Sequence, residues 1–279
     1  MSESSGYFVA AGEGFEPQAI AASQWSSDQV VGPALCGLLA RELENLHGGG
    51  GLVPVRLTVD LFRPARMHRL AVTTRIVREG KRIRLADATV MQDDAPVARA
   101  ALVFLRPAEQ PPGVIWTRDH EPVPPDPGMA RPPGDAPLWS SDASGDWSAI
   151  PSRHEDSSRK RTWQRPLDVL AGEAGSPFVR AAMVGEQTSM VTNWSDAGVA
   201  FINTDLTLAL ARMPIGPDIG VEADNHLGGN GIAVGSATLF DRHGSFGTGL
   251  ITAVANAGRR ITARRLDEVV GAAERAAAF

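Results

Sequence analysis

Two stretches of the chain alternate apolar and polar residues with a period of two. In the first, Val53, Val55, Leu57, Val59 and Leu61 take turns with polar or small residues before Arg63-Pro64. In the second, Ile202, Thr204, Leu206, Leu208 and Leu210 do the same ahead of Arg212-Met213-Pro214. Such alternation marks a strand with one buried face. Arg63 and Arg212 lie 149 positions apart. Held without a gap, that offset also pairs Val72 with Val221, Gly80 with Gly229, Ile83 with Ile232 and Ala88-Thr89 with Ala237-Thr238. Strand phase and turn positions agree across the whole span, which predicts an internal repeat.

Each repeat reads in the same order. A helical pattern runs over about 30–46 in the first and 177–193 in the second, followed by a Gly-containing turn at Gly48–Gly51 or Asp196–Gly198. The long strand comes next, then a strand from Leu70 or Ile219, then two strands joined by tight turns at Gln92–Pro96 and Asp241–Gly244. Gly228–Gly231 also falls where a hairpin turn belongs. Several strands after one early helix predict an α+β domain, an antiparallel sheet wrapped round a helix, present twice in tandem. Pro111-Pro112-Gly113, the prolines between Pro122 and Pro127, and Pro132-Pro133-Gly134 suit neither helix nor ladder strand. The pattern therefore divides into a first domain over 1–107, a Pro-rich linker over 108–160 and a second domain over 161–279. Trp116, Trp139 and Trp147 are expected to pin the linker to the domains, and Ser158-Arg159-Lys160-Arg161 to be a solvated basic run. The Ala- and Arg-rich tail from Arg259 to Phe279 reads as an amphipathic helix.

Composition narrows the function classes. The 279 residues are 43% apolar and carry a net charge of −5, enough apolar material for a sizeable core and no basic surface for nucleic acid or membrane. The single cysteine, Cys36, sits in an apolar helical run and reads as a buried thiol. No secretory pattern opens the chain and no apolar run is long enough to span a bilayer, so the cytoplasm is the expected location. The six histidines lack metal-ligand spacing, and neither G-x-G-x-x-G, a Walker pattern nor G-x-S-x-G occurs. No cofactor is implied.

Phe62-Arg63-Pro64 with Arg78–Lys81 in the first half, and Phe201–Leu206, Arg212-Met213-Pro214 and Leu239–Gly244 in the second, are similar in order and spacing to the double-hotdog acyl-CoA thioesterases of the thioesterase II type. The resemblance covers roughly residues 5–256. It implies two tandem hotdog domains and hydrolysis of an acyl-CoA or related small-molecule thioester. It also implies a water-activating site built from an Asp on the second helix, a Thr or Ser on the next strand and a Gln on a late strand. Those positions fall at Glu186, at Asn203 and at or next to Thr252 here, so all three residue types differ from the family's.

The chemistry of those residues can be weighed on its own. Thioester hydrolysis needs a carboxylate to take a proton from water and donors aimed at the developing oxyanion. Glu186 follows the apolar Ala181-Ala182-Met183-Val184; facing inward it would be a costly group with a function, facing outward a solvated side chain. Its counterpart under the repeat offset is Gly37, so one site per chain is expected. Alternation places Asn203 and Asp205 on one strand face, opposite Ile202, Thr204 and Leu206. There Asn203 would position water and Asp205 would fix Asn203 or the helix, or both would simply be wetted. Arg63 and Arg212 could meet CoA phosphates or pair with nearby carboxylates. A binding module without turnover is the competing reading, and a dehydratase would want a helical His that neither helix has. Spare apolar positions on the sheets and the tail suggest a homo-oligomer.

Overall fold

The computed structural model of the protein describes residues 5–129, 138–142 and 144–262, together with 264, 265 and 267. The chain begins with strands β1 (Gly6–Ala11) and β2 (Gly14–Pro17) and helix α1 (Gly32–His47), then runs through β3 (Val53–Leu61), β4 (Ala71–Glu79), β5 (Ile83–Gln92) and β6 (Ala95–Leu105). After the Pro-rich connection come β7 (Leu138–Ser141), β8 (Arg161–Gln164) and β9 (Asp168–Leu170), then helices α2 (Pro177–Glu186) and α3 (Thr188–Asn193). The rest is strand: β10 (Trp194–Ser195), β11 (Gly198–Val199), β12 (Phe201–Asn203), β13 (Asp205–Leu210), β14 (Ile219–Gly229), β15 (Ile232–Asp241) and β16 (Gly244–Ala255).

The repeat read from the sequence is a repeat in space. Strand order in the main sheet is β4-β5-β6-β3-β13-β16-β15-β14-β8-β7, with β12 also on β16. Each half thus lays down its four long strands in the same sequence of neighbours, mirrored about the seam between β3 and β13. At that antiparallel seam Thr58 faces Thr207, and those two residues are themselves counterparts under the 149-residue offset. Equivalent residues meeting face to face is what a twofold relation between the halves demands. The fold is two tandem hotdog domains whose sheets join into one.

Local chemistry explains the turns. Asp93 and Asp94 both take positive φ (50° and 57°) between β5 and β6, as do Asn230 and Gly231 between β14 and β15, the twist a two-residue hairpin needs. Helix α1 has Pro33 in its first turn and buries Leu35, Leu38, Leu39 and Leu43 against the sheet. Helix α2 starts at Pro177, with the Ser176 hydroxyl accepting from the Val179 N–H as N-cap. The helices cross where Gly37 lets them approach: a Cβ there would lie 2.6 Å from Met183 Cγ and 2.8 Å from Val169 Cγ2. One continuous apolar core, containing residues of both halves, fills the space between helices and sheet.

Four features depart from the sequence reading. The first strands form a small hairpin, and β1 pairs parallel with β9, so the N-terminus is stitched to the second half. Within the Pro-rich connection, β7 adds to the sheet edge and Trp139 is buried beside Trp163 and Phe240 with Trp147 against them, whereas Trp116 is 86% exposed and pins nothing. The basic run is not solvated either: Lys160 is 1% exposed, its ammonium donating to the Asp156 and Ser158 carbonyls and to the Asp156 carboxylate, and Arg161 lies over Trp147. Finally, the helix expected over 177–193 is broken at Gln187, where the N–H reaches back to Val184 at 3.0 Å and a tight turn separates α2 from α3. Most of the helix expected in the tail lies outside the described residues.

Candidate active site

The break falls one residue after Glu186, at the end of α2, and that position faces the other half of the molecule. Glu186 is 8% exposed. Its carboxylate abuts the start of α1: a Cβ on Gly32 would sit 2.2 Å from Glu186 Oε1, so a side chain there would push the carboxylate aside. The first turn of α1 presents backbone N–H groups without intrahelical partners, the positive end of the helix dipole. Burial nevertheless dominates, pushing the Glu186 carboxyl from its ordinary 4.5 up to about 8, with a hydrogen bond from Asn203 acting the other way. The Tyr7 hydroxyl of β1 is raised to about 12, mostly by burial and further by the Glu186 charge. The Cys36 thiol is raised well above its usual range for the same two reasons.

Asn203 reaches Glu186 because the sheet is irregular beside it. On β16, Ala253 faces Asn203 and Leu250 faces Thr207, so three residues of one strand stand opposite two of the other. A bulge of this kind reverses the alternation. Asn203 therefore shares the inner face with the buried Ala253, and Leu206 is inward again beyond the bulge. Its Nδ2 donates to Glu186 Oε1 at 3.1 Å and lies 3.5 Å from the Asp205 carbonyl. The single-face placement of Asn203 with Asp205 is thus overturned: Asp205 points to the other side, opposite Asp60 of β3.

Asp205 and Thr252 form a structural pair instead. Asp205 Oδ1 accepts the Thr252 backbone N–H at 3.0 Å, and the Thr204 hydroxyl lies 3.1 Å from Asp205 Oδ2 and 3.2 Å from the Thr252 carbonyl. The carboxylate thereby satisfies the ladder group that the bulge leaves unpaired. Thr252 is cross-strand to the exposed Val234, on the outer face of the sheet, away from Glu186. Arg212 is committed elsewhere as well. Its guanidinium grips both oxygens of the buried Asp241 at 2.6 and 2.9 Å, donates to the Gly244 carbonyl and lies over Phe246. Of the five residues singled out by sequence, the structure brings together Glu186 and Asn203. Asp205, Thr252 and Arg212 are bonded to other parts of the fold instead.

A cavity of ≈ 240 Å³ opens at Glu186 between the two halves. Trp25, Leu35, Leu61 and Ile202 give it apolar walls, Asn203 stands beside the carboxylate, and Thr204 and Arg63 complete its lining. Trp25 and Gly32 could not be singled out from the sequence, since their role depends on the second half reaching across to the first. A roomier cavity of ≈ 450 Å³ lies at the end of α3, but there Arg159 is paired with Glu222 and Asp224 with Arg118. The smaller one holds the buried carboxylate. Among the described residues no three His, Cys, Asp or Glu side chains converge as a metal site.

The acyl-CoA thioesterase N-terminal domain matches residues 21–105, and the acyl-CoA thioesterase C-terminal domain matches residues 108–249. The chain belongs to the acyl-CoA thioesterase family. No curated protein matches it. Among solved structures it is similar to a candidate thioesterase II of Thermobifida fusca, at 16% identity over 89% of this chain and 94% of that one, with a TM-score of 0.66. A hot dog-fold protein of unknown function from Alicyclobacillus acidocaldarius aligns at 16% identity, over 90% and 96% of the chains, with a TM-score of 0.64. The acyl-CoA thioesterase II TesB2 of Mycobacterium marinum gives 12% identity, 91% and 94% coverage and a TM-score of 0.61. At these identities the likeness is one of fold. No helix among the described residues is long and apolar enough to cross a membrane.

Proposed function

We propose that this family member hydrolyses an acyl-CoA thioester to the free acid and CoA, with Glu186 as the base that activates water. The reading is carried by one observation: a buried carboxylate, held by an amide and faced by a helix start, at the end of a cavity between the halves. In its ionised form Glu186 takes a proton from water as the water oxygen bonds to the thioester carbon. Asn203 has its Nδ2 committed to Glu186, which leaves Oδ1 to accept the second water hydrogen and aim the lone pair. The α1 N-terminus faces the negative charge that develops on the carbonyl oxygen. The C–S bond then breaks, and the proton on Glu186 passes to the departing sulfur, giving the thiol. The apolar walls formed by Trp25, Leu35, Leu61 and Ile202 suit an acyl chain.

Binding without turnover is the second reading, favoured by one feature: Thr252, at or next to the position where the family's Gln is expected, stands on the far face of the sheet. A panel of acyl-CoAs of increasing chain length, with the released thiol measured, decides between them. Thiol release on at least one member is expected; ligand binding with no release on any would establish the second reading.

We further infer that the protein is a homo-oligomer. Leu227, Ile232, Val234, Leu250 and Val254 are exposed on the outer face of the second half's sheet, and Ile232 with Val254 and Val234 with Leu227 are direct cross-strand neighbours. An uncharged apolar sheet face of this kind is self-complementary about a twofold axis and suits a second copy of the chain.

A further inference from the structure

Arg63 and Arg212 are counterparts in the repeat, yet their surroundings differ in a way that bears on the ligand. Arg212 is locked by Asp241, whose Oδ2 also accepts the Ile215 backbone N–H at 2.8 Å, and it lies over Phe246, 5.5 Å from the ring centre. Under the 149-residue offset Asp241 corresponds to Gln92, Ile215 to Arg66 and Phe246 to Val97. The backbone bond is kept: the Arg66 N–H donates to Gln92 Oε1 at 2.7 Å. The corner bond of the residue before the Arg is kept too, with Phe62 N–H on the Val97 carbonyl of β6 (3.0 Å) where Ala211 N–H meets the Phe246 carbonyl of β16 (2.9 Å). What changes is the pair of groups that hold the guanidinium. Gln92 turns its Nε2 to the Arg66 and His68 carbonyls, and an amide offers no charge; Val97 offers no ring.

Arg63 is accordingly exposed, with no ion pair or side-chain hydrogen bond among the described residues, and it lines the cavity that holds Glu186. Its neighbour Arg66 is paired with Asp28, and among the described residues Arg63 is the cation lining this cavity. We propose that Arg63 binds a phosphate of the ligand at the entrance to the Glu186 cavity, and that the exchange of Asp and Phe for Gln92 and Val97 is what releases it for this task. The inference rests on the acyl-CoA reading of the site and adds to it the side chain that recognises the anionic carrier. A guanidinium presents a planar fork of donors that fits phosphate oxygens, and its reach beyond the strand end leaves the thioester free to enter.

The test uses two variants of the full-length protein. Arg63→Gln removes the charge from an exposed side chain. Gln92→Asp leaves Arg63 in place and restores the carboxylate that captures its counterpart. Free CoA is titrated calorimetrically at low and high salt, and KM and kcat are measured on butyryl-CoA and on the phosphate-free thioester of N-acetylcysteamine. Both variants should weaken CoA binding on the order of tenfold at low salt, as loss of a charge-assisted hydrogen bond does. Both should raise KM for butyryl-CoA about tenfold more than for the phosphate-free thioester, with kcat moving far less. Unchanged CoA affinity in Arg63→Gln, equal losses on the two thioesters, or a wild type that does not bind CoA would overturn the inference. A wild type that binds CoA through Arg63 but cleaves no thioester would instead overturn the hydrolytic reading and leave Arg63 in its role.

Discussion

At the scale of single residues, the molecule concentrates its cost in Glu186. A carboxyl raised from 4.5 to about 8 holds its proton more tightly folded than unfolded. Its contribution to stability is therefore fully present below about 4.5 and is lost as the pH climbs through about 8. Each unit of that shift corresponds to roughly 1.4 kcal/mol, so the native state loses stability on the alkaline side. Glu186→Gln removes the titration and keeps an acceptor and donor for Asn203. Thermal melts from pH 5 to 9 should show the variant gaining on the wild type as pH rises; parallel curves would mean that Glu186 titrates normally. Arg212→Ala is the contrasting substitution. It strands the Asp241 carboxylate, whose side chain is fully buried, and should cost roughly 2 to 4 kcal/mol in chemical denaturation while leaving KM near wild type. A KM effect without loss of stability would instead give Arg212 to the substrate.

At the scale of elements, strand phase and turns were legible because each long strand buries one face and each tight turn uses residues that accept positive φ. Val53–Leu61 has the bounds of the alternating run, and Asp93-Asp94 forms the expected turn. What the alternation could not carry was its own interruption. The bulge at Thr204 is stabilised by Asp205 and Thr252, whereas a regular strand would have placed Asp205 on the same face as Asn203. The helix break at Gln187 has no proline or glycine at that residue to announce it, and strands as short as β1 and β2 offer too few residues for a period to show. Of the proposed site, the carboxylate and its amide partner were readable; the cavity walls from the first half were not, because they depend on how the halves meet. Gly37 shows the same dependence. As the counterpart of Glu186 it offers no side chain for a second site, and it is where α1 meets Met183 and Val169. Gly37→Leu should overpack this crossing and destabilise by roughly 1 to 3 kcal/mol, lowering the melting temperature; a neutral effect would show that the helices can part cheaply.

At the scale of the whole molecule, the twofold repeat divides the work unequally. Both halves supply sheet and helix, but the second contributes Glu186, Asn203 and the Ile202 wall, and the first contributes Gly32, the walls formed by Trp25, Leu35 and Leu61, and Arg63. One site per chain follows from that asymmetry. The outer sheet face of the second half carries exposed apolar side chains. Light scattering at micromolar concentration should give twice the monomer mass or more, and Val234→Lys with Leu250→Lys should reduce it to the monomer; a monomeric wild type would contradict the homo-oligomer. The central claim, that the buried carboxylate activates water on a thioester, is tested most directly by comparing turnover of the best acyl-CoA by wild type and Glu186→Gln, with circular dichroism and CoA affinity as controls. The account predicts a fall in kcat of roughly 10² to 10⁴ with fold and affinity retained. Equal rates in the two proteins would contradict it.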